Sequence, residues 1–289
     1  MNRPVTRRKL WLRLLRDRVM VGLSVAALAC ALVPLAWVLG DVVVSGAPGL
    51  SREFLTQLPQ PPTRGGGGWA NAFLGTGIVV GLALLLGVPV GVGAGIYVAE
   101  FGDGSLGRAT RFVAEVLAGI PSIIAGVVAY GIIVTRMGRF SALAGGVALA
   151  ILVVPIVMIT TEEALRLVPR DRREAAFALG VGEAPTTLWV VVPAAAGNIL
   201  TGILVATARI AGETAPLLFT ALGSRFWPEG VDRPIATVAV NIYSYAISPF
   251  PDWHGQARAG AFLLLAAVLL GNVVARLIWA RRAQFMAGH

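Results

Sequence analysis

Charged residues are scarce in this chain of 289 residues: only 13% are Asp, Glu, Lys or Arg, whereas 56% are hydrophobic. Soluble domains carry about 25% charged residues, so the composition excludes an ordinary soluble domain. Lysine is nearly absent, and Lys9 is the only one. A P-loop for ATP ends in Gly-Lys-Ser or Gly-Lys-Thr, whereas Lys9 stands in TRRKLW. The chain therefore has no P-loop with which to hydrolyse ATP.

Metal-ligating residues are also few. The single cysteine, Cys30, lies in an apolar run and has no second cysteine with which to form a disulfide. The two histidines, His254 and His289, are far apart and have no Cys or His neighbour at ligand spacing. We therefore expect no metal site and no cofactor in this chain.

The net charge of +9 raises the question of a nucleic-acid partner. Binding to nucleic acid requires a basic face on a soluble module. Here the basic residues cluster at the ends of apolar runs, a pattern that is typical of membrane topology control. We expect a membrane-lipid environment and no nucleic-acid partner.

Long apolar runs dominate the sequence. About 20 apolar residues cross a bilayer as a helix, because the helix closes its backbone hydrogen bonds internally. The sequence therefore predicts an all-α polytopic membrane protein. Six runs qualify as spans: 19–44, 71–98, 113–135, 142–160, 199–222 and 259–280. A seventh stretch, 234–250, is short and bracketed by prolines, and it predicts a helix at, or dipping into, the outer surface.

Basic residues set the expected orientation. With the N-terminus inside, 16 Lys and Arg fall in inner segments and seven in outer segments. Because basic residues favour the cytoplasmic side, both termini are expected there. The predicted divisions are a basic N-terminus 1–18, the first span 19–44, an external loop 45–70, a five-span core 71–280 with the cytoplasmic loop 161–198, and a tail 281–289.

Glycines recur every four residues in the second predicted span. They form the sets Gly77/Gly81 and Gly87/Gly91/Gly95. Such spacing predicts a smooth stripe where another helix approaches closely.

The loop 161–198 is half polar and punctuated by proline and glycine. Asp171 is expected to cap a short helix over 171–179, and Gly180 is expected to end it in a left-handed conformation. Pro185 is expected to open a second short helix and Pro193 to close it. The sequence thus predicts two short helices at an angle.

Residue spacing in this loop resembles a family pattern. Glu174-Ala175-Ala176 is followed after three residues by Gly180, and then at fixed distances by Val190, Val192 and Pro193. The pattern is similar to Glu-Ala-Ala, Gly and Ile-x-Leu-Pro in ABC importer permeases, with valine in place of Ile and of Leu. The resemblance implies the type I importer permease fold, with these seven residues in a coupling helix loop that docks on a separate ATPase. The residues alone leave open an amphipathic hairpin that only connects two spans.

The fifth predicted span holds two charged residues, Arg209 and Glu213, four positions apart and hence on one helical face. A charge in the bilayer centre costs about 2.5–3.5 kcal/mol, so such residues are functional candidates. The guanidinium suits an oxyanion, Glu213 can hold it until substrate competes, and Thr214 adds a neutral donor. The alternative is a self-neutralising pair that only fixes helix packing.

Further phrases resemble the phosphate-specific branch of the same family. They include AGIPSIIAGVVAYG, VPRDRREAAFALG and RIAGETAPLLFTA. The resemblance implies a non-enzymatic permease subunit of an ATP-driven phosphate importer in the bacterial plasma membrane. It also implies a second homologous permease, an ATPase dimer that holds ATP and Mg, and an external phosphate-binding protein. A permease for sulfate, molybdate, phosphonate or an organic solute remains an alternative, as do an ATP-independent transporter and a partner that signals phosphate status.

Overall fold

The computed structural model describes residues 7–62, 64 and 66–287, and in these residues the regular secondary structure is helical, without strands. This confirms the all-α class. The helices are α1 Arg7–Gly46, α2 Arg52–Thr56, α3 Ala70–Phe101, α4 Ser105–Gly119, α5 Ser122–Met137, α6 Ala142–Arg166, α7 Arg170–Ala178, α8 Glu183–Ala211, α9 Ala215–Leu218, α10 Val238–Ala246 and α11 Pro251–Ala287.

Five of these helices are long and apolar enough to cross a membrane: α1, α3, α6, α8 and α11. Helices α4 and α5 are together long and apolar enough to form one further span, so the described residues contain up to six spans. In α6, 67% of the most apolar window is buried, whereas the corresponding windows of α1 and α11 are not buried at all. Helix α6 is therefore central, and α1 and α11 form the outside of the bundle.

The third predicted span, 113–135, is not one straight helix. Helices α4 and α5 meet at an angle of 105°. The break falls at Ile120 and Pro121, where Ile120 is extended with ψ 134°. Proline has no N–H, and its ring pushes the preceding residue out of the helical region. The run is apolar enough to span, as predicted, but it bends at Pro121, which its hydropathy does not predict.

Pro193 does not close a short helix, contrary to the prediction. Helix α8 runs without interruption from Glu183 to Ala211. A π-helical turn over Thr187–Val191 ends two residues before the proline. Such a widened turn accommodates a missing i→i−4 hydrogen bond, so the helix continues past Pro193.

The fifth predicted span, 199–222, also departs from the sequence expectation. Helix α8 ends at Ala211, residues 212–214 are not helical, and α9 is only four residues long. Gly212 lies at the end of α8, and Pro216 cannot continue a helix because it lacks the N–H that would bond to the carbonyl of Gly212. The apolar run therefore contains a break that we name the 212–214 break.

Close packing of α3 on α6 forms the centre of the bundle. A Cβ on Gly87 would lie 2.9 Å from the Cβ of Val153, and one on Gly91 would lie 2.8 Å from the Cβ of Val157. Gly95 stands equally close to Thr161. The predicted stripe is therefore confirmed for these three glycines. At Gly77 and Gly81 a Cβ would meet no atom within 4 Å, so no helix of this chain approaches closely there and that part of the stripe stays a prediction.

The two ends of the bundle differ. The α7 end carries the last turns of α3 and α6, and the opposite end carries α2, α10 and the starts of α3 and α11. Segment 234–250 forms the nine-residue helix α10, which is shorter than a membrane span. Residues 235–240 are buried, and the backbone N–H of Val238 donates to Thr76 Oγ1 of α3 at 2.9 Å.

An aromatic cluster closes this opposite end. Trp69 is fully buried, and its ring lies 5.3 Å from that of Phe54 and 5.1 Å from that of Tyr245. Tyr245 in turn stacks on Trp253 at 4.2 Å. Gly260 of α11 touches the Trp69 ring so closely that a Cβ has no room there. The cluster joins α2, α3, α10 and α11.

Candidate functional site

The first candidate site is the hairpin formed by α7 and the start of α8, residues 170–193, which we name the coupling hairpin. Helix α7 covers the predicted 171–179 within one residue at each end. Gly180 has φ +78°, and Val181 N and Gly180 N donate to Ala176 O and Phe177 O at 3.1 and 2.9 Å. This hydrogen-bond pair is the Schellman helix end, so the predicted left-handed Gly180 is confirmed. Asp171 was expected to cap α7, but Pro169 occupies the N-cap position and Asp171 lies in the first turn.

The motif residues divide between buried and exposed positions. Ala176 is buried at 6% exposure. Exposed motif residues are Glu174, Ala175, Gly180 and Pro193, and partly buried ones are Val190 and Val192. The side chain that fixes the second arm is one the motif skips: Val191 is fully buried in a cluster with Leu165 and Val168. Because the motif specifies only the flanking positions, Val191 could not be identified from the sequence.

Large apolar side chains project from the coupling hairpin. Leu179 and Trp189 are 84% and 80% exposed, and Phe177 and Leu188 are about half exposed. Clustered exposed apolar residues mark interaction surfaces. None of these four residues belongs to the motif from which the loop was predicted to dock on an ATPase. The hairpin can therefore offer an apolar surface to another protein.

Ion pairs surround this end of the bundle. Arg173 Nη1 of α7 donates to Glu100 Oε2 of α3 at 2.7 Å. Glu162 of α6 is nearly buried, and its Oε1 accepts from Arg111 Nη2 of α4 at 2.6 Å and pairs with Arg166 at 3.0 Å. These pairs tie α7 to α3 and α4 to α6. The Arg173–Glu100 and Arg111–Glu162 pairs join residues that are 73 and 51 positions apart, so the sequence could not identify them.

The second candidate site is the 212–214 break with the last turn of α8. Arg209 lies in that last turn, and Glu213 lies beyond the helix end, so the two are not on one helical face as predicted. Their side chains still approach, with Arg209 Nε 3.8 Å from Glu213 Oε1. The Arg209 side chain is 51% exposed and that of Glu213 is 17% exposed. A long, single contact leaves the other guanidinium donors of Arg209 open to an anion.

Neighbouring helices brace this break. Thr214 Oγ1 donates to Ala239 O of α10 at 3.4 Å. On the other side, Pro216 of α9 packs against Gly126 of α5, where a Cβ on the glycine would lie 2.5 Å from the proline Cα. Arg209 and Glu213 thus lie beside each other at the end of α8, and the segment that follows, Thr214 to Pro216, is braced by α10 and α5. The structure shows no group of three or more His, Cys, Asp or Glu side chains arranged for a metal among the described residues.

Comparison with known proteins identifies the family. Residues 91–284 match the family described as binding-protein-dependent transport system inner membrane component. The chain belongs to this family. The match spans about two thirds of the chain and contains both the coupling hairpin and the 212–214 break.

Curated relatives of this transport family cover nearly the whole chain. The chain is 45% identical over 268 residues to the phosphate transport system permease protein PstA of Yersinia pestis, which covers 92% of this chain and 91% of that protein. It is 44% identical over 264 residues to the protein of the same name from Haemophilus influenzae, with 91% and 93% covered. It is 36% identical over 259 residues to a probable phosphate transport system permease protein PstA of Methanocaldococcus jannaschii, with 89% of this chain and 92% of that protein covered.

The fold of this chain is similar to that of solved ABC transporter structures. A chain of the MetNI methionine ABC transporter in an inward-facing conformation has a TM-score of 0.60 at 20% identity, covering 79% of this chain and 97% of that one. A chain of an amino acid ABC transporter with histidines has a TM-score of 0.53 at 17% identity, with 73% and 92% covered. The chain therefore has the fold of an ABC importer permease, which confirms the predicted fold class, and it is a multi-pass inner-membrane protein.

Proposed function

We propose that this protein is a transmembrane subunit of an ATP-driven importer of inorganic phosphate. The observation that carries the proposal is the 45% identity over 92% of the chain to a phosphate transport system permease. The similarity spans the 212–214 break as well as the coupling hairpin. The half-exposed Arg209 at the break suits a phosphate oxyanion.

ATP hydrolysis belongs to a separate subunit in this proposal. The chain has no P-loop, since its only lysine is Lys9. The partner ATPase dimer holds ATP and Mg and receives the coupling hairpin. The apolar anchors of the coupling hairpin would be Leu179 and Trp189, which are more than three quarters exposed in the isolated chain. Glu174, Ala175 and Gly180 form the small and charged part of the same contact.

The translocation path runs past the 212–214 break, between this chain and a second homologous permease. Phosphate competes with Glu213 for the guanidinium of Arg209, because that ion pair is long at 3.8 Å and made through a single nitrogen. Thr214 can turn its hydroxyl from the long bond with Ala239 O toward the anion. Release of phosphate re-forms the Arg209–Glu213 pair, so the arginine charge is balanced in both states.

Both termini and the coupling hairpin lie on the cytoplasmic side of the bacterial plasma membrane in this proposal. The excess of basic residues in the N-terminal segment, the coupling hairpin and the tail supports that orientation. The opposite end, including the loop before α10, then faces outward. An external phosphate-binding protein would deliver its cargo there.

Phosphate uptake by the reconstituted complex with Arg209→Gln tests the path. Uptake should fall by about tenfold or more, because a charge-assisted contact contributes about 1.5–3 kcal/mol. Arg209→Lys keeps the charge but loses the planar fork of the guanidinium, so its uptake should lie between that of the unmodified protein and that of Arg209→Gln. Arg276→Gln, on an exposed position of α11, is the matched control and should transport normally. Normal uptake by Arg209→Gln with intact ATPase binding contradicts the path role.

A further inference from the structure

We propose that the Arg173–Glu100 ion pair is the link that transmits a displacement of α7 to α3 during the ATPase cycle. The inference rests on the proposed function only for the docking of an ATPase on the coupling hairpin. Both residues are positioning residues, since they act through the helices that carry them.

Helix α7 is lightly attached to the rest of the bundle. Of its nine residues only Ala176 is buried, and the helix packs mainly on residues 183–191. Arg173 is the side chain that reaches past this contact to the last turn of α3. A force applied to α7 therefore meets α3 directly through this arginine.

The ion pair is built to stay closed. Arg173 Nη1 and Glu100 Oε2 are 2.7 Å apart, and the two side chains are 23% and 14% exposed. The other carboxylate oxygen of Glu100 is buried and has no hydrogen-bond partner in the described part of the chain. Separation would leave a largely buried carboxylate without its counter-charge, which is strongly unfavourable. The two helices therefore move together at this point.

Helix α3 carries the displacement to the opposite end. Its 32 residues correspond to about 48 Å of helix. Gly87, Gly91 and Gly95 lock its second half against α6. At its start, the Asn71 side chain donates to Ser224 O at 2.7 Å, in the loop after the 212–214 break.

A second contact connects α3 to the candidate path. Thr76 Oγ1 of α3 accepts from Val238 N, the first residue of α10. The next residue, Ala239, accepts the hydrogen bond from Thr214. A contiguous set of packed and hydrogen-bonded groups thus runs from α7 through α3 to Thr214, and a displacement at one end can reach the other along it.

The test compares phosphate imported per ATP hydrolysed in the reconstituted complex. Glu100→Gln and Arg173→Gln should each keep the ATPase bound and lower this ratio by about 2- to 30-fold, the range for single positions in coupling networks. The exchanged pair, Glu100→Arg with Arg173→Glu, should recover most of the ratio. Arg108→Gln, an exposed arginine of α4 outside the coupling hairpin, is the matched control and should leave the ratio unchanged.

A second measurement does not depend on the cargo. In a Cys30→Ser background, Phe226→Cys places a thiol at a 73% exposed position, two residues beyond the Asn71 contact at Ser224. Its labelling rate with a polar maleimide should differ between the nucleotide-free and vanadate-trapped complexes, and Glu100→Gln should abolish the difference.

Three results overturn the proposal. The first is that Glu100→Gln leaves both the phosphate imported per ATP and the labelling difference unchanged. The second is that ATPase binding falls in parallel with uptake, which indicates that the pair is merely structural. The third is that the exchanged pair recovers none of the lost phosphate import per ATP. If the unmodified complex imports no phosphate, the proposed function fails, and the labelling difference alone then decides the role of the ion pair.

Discussion

Gly91→Ala is expected to destabilise the bundle through the contact of α3 with α6. The new Cβ would lie 2.8 Å from Val157 Cβ and 3.0 Å from Val154 O. Carbon atoms in favourable contact are about 3.5–4.0 Å apart, so the helices must separate locally by roughly 1 Å. Overpacking of this kind costs about 1–3 kcal/mol, and we expect the unfolding temperature to fall by about 2–10 °C.

The assay is the temperature at which half of the purified complex loses its monodisperse size-exclusion peak after heating in detergent. Gly93→Ala is the control, because the same substitution two residues away meets no atom within 4 Å. It should change the free energy of unfolding by less than about 0.5 kcal/mol. Equal losses for the two variants would refute the assignment of the Gly91 face to α6.

Two further substitutions test other parts of the fold by the same logic. Gly260→Ala should lower the unfolding temperature because the methyl group collides with the buried Trp69 ring. Gly255→Ala, in open space on the same helix, is the control and should not lower it. Equal unfolding temperatures for the two variants would contradict the packing of α11 on Trp69. Gly180→Ala should cost about 1–2 kcal/mol at the end of α7 because φ is +78°, and the fraction of ATPase that co-purifies should fall. Gly182→Ala, with φ −70°, is the control, and unchanged ATPase retention by Gly180→Ala would show that this helix end is not needed for docking.

Much of the helical architecture could be predicted because the signals are local. Runs of about 20 apolar residues located the long helices, and the glycine after α7 located its end through a backbone requirement that glycine meets best. The breaks were harder. Hydropathy averaged over about 20 residues barely changes at a single proline or glycine. It therefore predicts continuous spans where the chain bends at Pro121 and where it breaks at 212–214.

Proline itself gave opposite outcomes at two positions. Pro121 breaks the chain into two helices, whereas α8 continues past Pro193 because a π-helical turn precedes it. A proline in an apolar run therefore does not by itself predict whether the helix ends there. The same limit explains the ion pair between Glu100 and Arg173, whose partners meet only in the folded chain.

The candidate site was predictable in its residue types but not in its shape. An arginine and a glutamate in an apolar run are conspicuous because burial of charge is costly. Their position at a helix end, with Arg209 half exposed and Glu213 outside the helix, follows from the break at Gly212. Their role in the path stays a prediction.

ATP-dependent uptake by proteoliposomes would show whether this protein is a subunit of a phosphate importer. They would contain this subunit, its partner permease and the ATPase, with the external binding protein supplied, and radioactive phosphate would be compared with radioactive sulfate. We expect phosphate to accumulate only when ATP is present at the ATPase, and we expect no accumulation of sulfate. Accumulation of phosphate without ATP, or a preference for sulfate, would contradict the proposed function.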